Sequence, residues 1–422
     1  MKRILYVIVP FAALVVYLYV PRPDKKHLVM AEAYEIGPSP AAVEAVRSKD
    51  DFVRSSLRHD PSDLPGFDDF ILYEKEGFAL ATGTDGFIWK VDLATAKSER
   101  FADVPLVASG AVRVPGDPDR IYACVSRLYG EKHDPSERVG VYEIRISTRE
   151  VRPVITEVMI PPPVQAGPQP GIVYADGQAP SLRRRDFTPE NSRPMAFCND
   201  LAVSSDGKRI YMTTPYAYEG AAMGGGAFGE AITLARNGLL WRYDLASETI
   251  ELAARDFNFI DGILLEDKDG REESVLITET TKFRIDRLYL RGQKAGTHDV
   301  LYEFLPGMPD GMDRDHQGRI WIGVIKKRTG FITWAHKNPW IKFALLNLPQ
   351  SILPVPGQTG LLVLSPDASR PLFYTEHDGS GPGEIAVAVP GRDRVYLPNF
   401  RKSSRGVYSI PYPEALQPGD TK

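Results

Sequence analysis

From about Gly66 onward the apolar positions of this chain fall in short runs that end at Gly- or Asp-containing turns. FDDFILYEKEGFALATGTDGFIWKVD, beginning at Phe67, shows the unit uninterrupted: a polar residue, an apolar strand, a turn, a second apolar strand, another turn, then an aromatic-rich strand ending in Asp. It recurs as NDLAVSSDGKRIYMTT with NGLLWRYD, as DGILLEDKDGREESVLITET with FRIDRLYLRG, and as DGMDRDHQGRIWIGV with TGLLVLSP. Weaker copies start near Ala108 and Gly383. DG, NG, KDG and QG between apolar runs are hairpin turns, where a positive φ is needed at little steric cost. Six copies, spaced by roughly 40 to 60 residues and each long enough for a four-stranded sheet, predict an all-β chain folded as a six-bladed β-propeller. HLVMAEAYEI, from His27, is then available to complete the last blade and remove its free sheet edge. Interruptions at 161–193, 217–235 and 326–354 read as insertions gathered over a face of the propeller.

The N-terminus follows a different pattern. Lys2 and Arg3 precede an uncharged apolar run over residues 4–20, and Arg22, Lys25 and Lys26 follow it. About 17 residues is the lower limit for a membrane-spanning helix, and PRPDKKH lacks the small residues of a signal-peptidase site. The expectation is an uncleaved signal anchor with its juxtamembrane segment over 1–26, the propeller over 27–415 on the extracytoplasmic side, and a tail over 416–422. A cleaved signal peptide is the alternative, and either reading exports the body. Within the last long insertion, residues 334–348 carry Trp334, Trp340 and Phe343 around Lys337 and Lys342. They predict a short helix that caps the propeller, either resting at the bilayer, serving as a lid, or packed on the propeller flank.

Composition narrows the function without naming it. A formal charge of −4 offers no basic surface for nucleic acid. No H-E-x-x-H, G-x-S-x-G, P-loop or paired C-x-x-C occurs, so zinc peptidases, serine hydrolases and nucleotide enzymes lack their signatures. Cys124 and Cys198 form one disulfide if the body is exported, or stay as two buried thiols, and spacing leaves both open.

One constellation does carry chemistry. Asp68, Asn199, Asp261 and Asp310 each stand directly before an apolar strand that runs into its own turn, so none of them is needed as the turn residue. Equivalent positions in a propeller converge on its axis, and three carboxylates with one amide oxygen there would repel unless they held a hard cation, Ca²⁺ before Mg²⁺. Asp310 is the best candidate for a catalytic base or nucleophile beside that ion, with plain ligation as its other role. His377 and Glu384, in the Gly-rich approach to the last blade, are weaker pocket candidates. His316, in a DHQG turn, is expected to be exposed, and Glu279 with Arg284 to form a buried supporting pair.

The stretch from Arg193 to Gly311 resembles the strictosidine-synthase-like family, within the wider propeller group of paraoxonases, gluconolactonases and senescence marker proteins. The resemblance rests on FCNDLAVSSDGKRIYMTT, on NGLLWRYDLASETIELAARDFNFIDGILL, and above all on ITETTKFRIDRLYLRGQKAG with FLPGMPDGM. PWIKFALLNLP, from Pro339, resembles the insertion of the adipocyte plasma-membrane-associated proteins, which also carry an N-terminal anchor. The resemblance implies a six-bladed propeller and, in the hydrolase members, a calcium bound by residues matching Asp68, Asn199, Asp261 and Asp310. The implied activity is hydrolysis of small esters or lactones. Two departures, Asp68 where the family usually has Glu and Asp261 where Asn is usual, keep oxygen donors but raise the negative charge. The catalytic Glu of the alkaloid-forming synthases aligns near Ala386, so amine–aldehyde condensation is disfavoured, whereas a non-catalytic propeller with a structural ion remains as the alternative to a hydrolase.

Overall fold

A computed structural model describes residues 12–19, 33–59, 64–95, 97–163, 171–218, 220–353, 355–400 and 406–417. Six antiparallel sheets follow one another around an axis, formed in turn by residues 67–103, 107–155, 201–257, 260–302 and 307–377, with the sixth built from 389–411 plus a strand from the N-terminal side. Each blade contributes its first strand to the axis and its last to the rim. Apolar side chains of neighbouring blades interleave as the core. Leu80, Ile121, Val141 and Trp241 belong to one such layer, and Trp321 meets the Tyr412 ring edge-on across blades 5 and 6, at 5.4 Å between centroids.

Ring closure departs from the sequence expectation. The strand that completes blade 6 is Leu57–His59, antiparallel to Val407–Pro411 with Leu57 opposite Ser409 and His59 opposite Val407. Residues 27–32 lie outside the described residues, and 33–36 form no strand. Tyr34 instead donates its backbone N–H to the carbonyl of His336 (2.9 Å) and packs its ring near Phe304, while Ile36 is buried beside blade 5. The apolar character of that segment is spent on this packing, and helix α1 (Ala41–Ala45) continues it by burying Val43.

Two insertions cap one end of the ring. They form α2 (Phe228–Thr233), α3 (Gly330–Lys337) and α4 (Pro339–Asn347), which share a small core of Ile232, Ala335, Leu345 and Leu346. Thr329 starts α3 by accepting from the Ile332 N–H (3.2 Å), and Pro339 opens α4 where its missing N–H would have no helical partner. The 161–193 insertion goes elsewhere: Ile172–Val173 and Ser181–Arg183 extend the rim of blade 3 along Thr249–Phe257. Cys124, on Asp117–Ser126 of blade 2, and Cys198, just ahead of blade 3, are joined as a disulfide with Cα atoms 5.1 Å apart.

The expected anchor falls mainly outside the described residues. Residues 12–19 are helical, and no helix among the described residues is long and apolar enough to cross a membrane.

Candidate metal and substrate site

The axial positions owe their geometry to interruptions of the sheet ladder. Pairing of the innermost strand skips from Phe67 to Phe70 in blade 1, from Ile260 to Ile263 in blade 4 and from Pro309 to Met312 in blade 5, and in blade 3 it begins only at Leu201. These bulges free Asp68, Asp261, Asp310 and Asn199 from the regular pleat. A threonine on the second strand supplies the missing acceptor: Thr82 for the Asp69 N–H (2.8 Å), Thr213 for that of Asp200 (3.0 Å), Thr278 for that of Gly262 (2.8 Å). Glycine follows Asp261 because neighbouring inner strands nearly touch. A Cβ on Gly262 would lie 2.3 Å from the Asp310 carbonyl oxygen.

Asp68, Asn199, Asp261 and Asp310 all line one central cavity of about 920 Å³. The Asn199 side-chain amide donates to Asp261 Oδ1, and the carboxyl groups of Asp261 and Asp310 hydrogen-bond to each other. Burial first, and the charges of Asp261 and Asp69 second, push Asp68 far above the ordinary carboxylate range, and burial together with Asp261 does the same to Asp310. Three further carboxylates share the channel. Asp69 accepts from the Phe70 N–H (2.7 Å) and, across to the next blade, from the Ala111 N–H (3.0 Å). Asp200 accepts from Leu201 (2.8 Å) and across to Ile263 (3.1 Å), and Asp313 from Arg314 (2.7 Å). Burial raises Asp69 and Asp313 to about 7, and Asp200 well above its usual range. Sequence reasoning missed these three, although the doublets Asp68-Asp69 and Asn199-Asp200 and the spacing Asp310 to Asp313 were the available signal.

This donor set fits a hard cation. It is all oxygen, and among the described residues no Lys, Arg or His forms an ion pair with Asp68, Asp69, Asp200, Asp261 or Asp310. The fit is loose. Among the described residues, the trio of acidic and histidine side chains whose ligand atoms lie within 4.8 Å of one another is Asp51, His377 and Asp378, so Asp68, Asp261 and Asp310 are spread more widely than that. Calcium tolerates such a set because water completes its shell of six to eight oxygens. Ligation by Asn199 would use Oδ1, the other end of the amide that now meets Asp261.

The tight trio is an outlying structural cluster. His377 ends the outermost strand of blade 5, Pro371–His377, away from the cavity, which corrects its expected place in the pocket. Its Nδ1 meets Asp51 (2.9 Å) and its Nε2 accepts from the Gly381 N–H (3.1 Å), so both ring nitrogens are used. Glu384 does line the cavity. Its φ of 59° puts it in the left-handed region, and its Oε1 accepts from Lys326 Nζ (2.6 Å). Ala386 also lines the cavity, and its carbonyl accepts from the Gly311 N–H (2.8 Å). His316 is exposed at the far mouth, beside Glu74. Glu279 and Arg284 form the expected buried pair, around a separate cavity of about 310 Å³ shared with Lys282 and Asn258. Above the carboxylates the wall becomes apolar, with Phe197, Tyr216, Phe259 and Phe283, and the cap residues Phe331 and Leu353 edge the opening.

Comparison with known proteins agrees with the resemblance carried by ITETTKFRI. Residues 164–336 match the family model described as SMP-30/Gluconolactonase/LRE-like region. The human adipocyte plasma membrane-associated protein is 29% identical over 227 residues, covering 51% of this chain and 52% of that protein. The strictosidine synthase-like 10 protein of Arabidopsis thaliana is 31% identical over 176 residues, covering 42% and 45%. The match thus spans about half the length of these curated relatives. A solved gluconolactonase from Xanthomonas campestris superposes with a TM-score of 0.50 at 12% identity, covering 91% of this chain and 98% of that one, a likeness of fold alone.

Proposed function

We propose that this gluconolactonase- and strictosidine-synthase-like propeller is a calcium-dependent hydrolase of small esters or lactones, held at a membrane by its N-terminal run with the propeller outside the cytosol. The observation that carries the reading is that Asp68, Asn199, Asp261 and Asp310 all line one central cavity, capped and apolar on one side of them. The disulfide between Cys124 and Cys198 favours an oxidising compartment.

In this reading Asp68, Asn199, Asp261 and Asp310 hold the ion. When bound, a hard cation there supplies Lewis-acid polarisation of a carbonyl oxygen and lowers the pKa of the carboxylates around it. The chain's own part is positional. Phe228, Phe331, Ile332 and Phe400, which line the cavity and keep exposed surface, seat the apolar portion of a substrate, backed by the buried rings of Phe197, Tyr216, Phe259 and Phe283. Asp310, coupled to Asp261 through a shared hydrogen bond, orients water and takes its proton.

A second reading, a non-catalytic propeller whose ion fastens the axis, is favoured by Asp69 and Asp200. Both carboxylates already act as staples to the backbone of the next blade. Hydrolysis of phenyl acetate and simple lactones separates the two. The hydrolase reading expects turnover that is lost on chelation, restored by calcium, and reduced about 10²-fold or more in Asp310→Asn with its melting temperature retained. A calcium-dependent rise in melting temperature without turnover of any ester or lactone would replace it with the second reading.

A further inference from the structure

We infer that the helical cap is a bilayer-docking face, which lays the mouth of the central cavity against lipid. Large apolar side chains exposed to solvent are few on the blades but concentrate here: Phe331, Trp334, Trp340, Phe343, Ile352 and Val355, with Trp340 at 57% and Ile352 at 63% exposure. Scattered apolar residues are ordinary on a soluble surface, whereas a contiguous patch marks a partner. Phe331 and Trp334 are 6.2 Å apart between ring centroids, and Trp334 meets Trp340 at 6.1 Å, so the aromatics form one surface. Phe331 and Val355 also edge the cavity.

Two observations identify the occupant as a bilayer. The patch is continuous with the apolar N-terminal run: Asn347, closing α4, donates its side-chain amide to the carbonyl of Leu18 (2.8 Å), and Leu14, Val16 and Tyr17 of the same run are themselves exposed. The aromatic make-up is that of an interfacial belt, since indole joins a large apolar ring to one N–H that stays hydrated among headgroups. Charge adds little. Among the described residues of the cap helices, Lys337 is paired with Glu35 (2.6 Å) and Lys342 is buried, so these helices present no free basic residue. Docking is therefore driven by apolar burial, and zwitterionic lipid suffices. The inference holds whether or not the cavity is catalytic.

The test uses the full chain with phosphatidylcholine vesicles whose acyl chains carry bromine, which quenches tryptophan only on contact with the hydrocarbon. Trp241 and Trp321 are buried and Trp89 lies on blade 1, so Trp334 and Trp340 dominate any response. The expected result is loss of emission on adding brominated but not plain vesicles, equal at low and high salt. That loss should largely disappear in Trp334→Phe/Trp340→Phe while the melting temperature is kept. A chain that floats with the vesicles through its N-terminus without being quenched overturns the inference, as does quenching that survives the double substitution. So does a dimer in sedimentation that Trp340→Glu dissociates, which would assign the face to a second copy of this chain.

Discussion

Gly262 shows how much of the site is decided by a single hydrogen atom. With the Asp310 carbonyl 2.3 Å from the place of a Cβ, Gly262→Ala forces blades 4 and 5 apart at the axis. The expected loss is about 1–3 kcal/mol in urea unfolding, with a smaller calcium-induced rise in melting temperature, because Asp261 and Asp310 move apart together. His377 presents the opposite case. His377→Asn should leave turnover unchanged and lower stability by about 1–3 kcal/mol, since buried hydrogen-bonding atoms lose their partners. Glu230, buried in α2 with Asn237 donating to it (2.8 Å), is raised by burial to about 8. Between the usual carboxylate range and about 8 the folded chain holds this proton more tightly than the unfolded one. Stability is therefore fullest below that window and falls as pH rises through it. Glu230→Gln, which keeps an acceptor for Asn237, is expected to flatten that slope in urea midpoints taken from pH 5 to 9. At this scale the sequence was readable where a residue repeats. Asp68, Asn199, Asp261 and Asp310 could be found because four hairpins place a polar residue before the strand without needing it for a turn. The roles of Asp69 and Asp200 depend on bulges that turn both residues of a doublet inward, and a bulge leaves no mark on a hydrophobic pattern.

The cap helices contain an expensive side chain. Lys342 of α4 is fully buried, its ammonium has no hydrogen-bond partner among the described residues, and burial lowers it to about 8, beside His336, which burial lowers to about 3. Removing a charge that burial penalises should help: Lys342→Met is expected to stabilise the chain at neutral pH by about 1–3 kcal/mol, read as a higher urea midpoint with an unchanged slope. The disulfide acts between elements as well. Cutting the bond between Cys124 and Cys198 frees a separation of 74 residues in the unfolded chain, so Cys124→Ser/Cys198→Ser should lose about 4 kcal/mol on the chain-entropy account. The blades were legible as elements because each repeats strand, turn and strand with its own local signals. His377 was misjudged for a related reason: sequence proximity to the approach to blade 6 does not say that Pro371–His377 runs along the rim. The 161–193 insertion, expected over a face, instead sets Ser181–Arg183 against the outer edge of blade 3, where it finds hydrogen-bonding partners.

For the whole molecule, six blades followed from counting repeats, but the identity of the closing strand did not. An apolar stretch such as HLVMAEAYEI suits a buried edge and a loop packed on the propeller equally well, and only tertiary packing set Tyr34 against the cap and Ile36 against blade 5. The short LRH of Leu57–His59 offers almost no apolar signal, because an outermost strand needs backbone partners more than a buried side. That choice has a consequence in time. Leu57–His59 is synthesised before any complete blade, yet its partner Val407–Pro411 is made only after the other five blades. A ribosome-bound or translocating chain therefore carries a waiting half-seam, and the circle can lock only once the last blade has been made. Folding should end in one slow, long-range step, with five blades assembled and the sixth still open to passing strands from other chains.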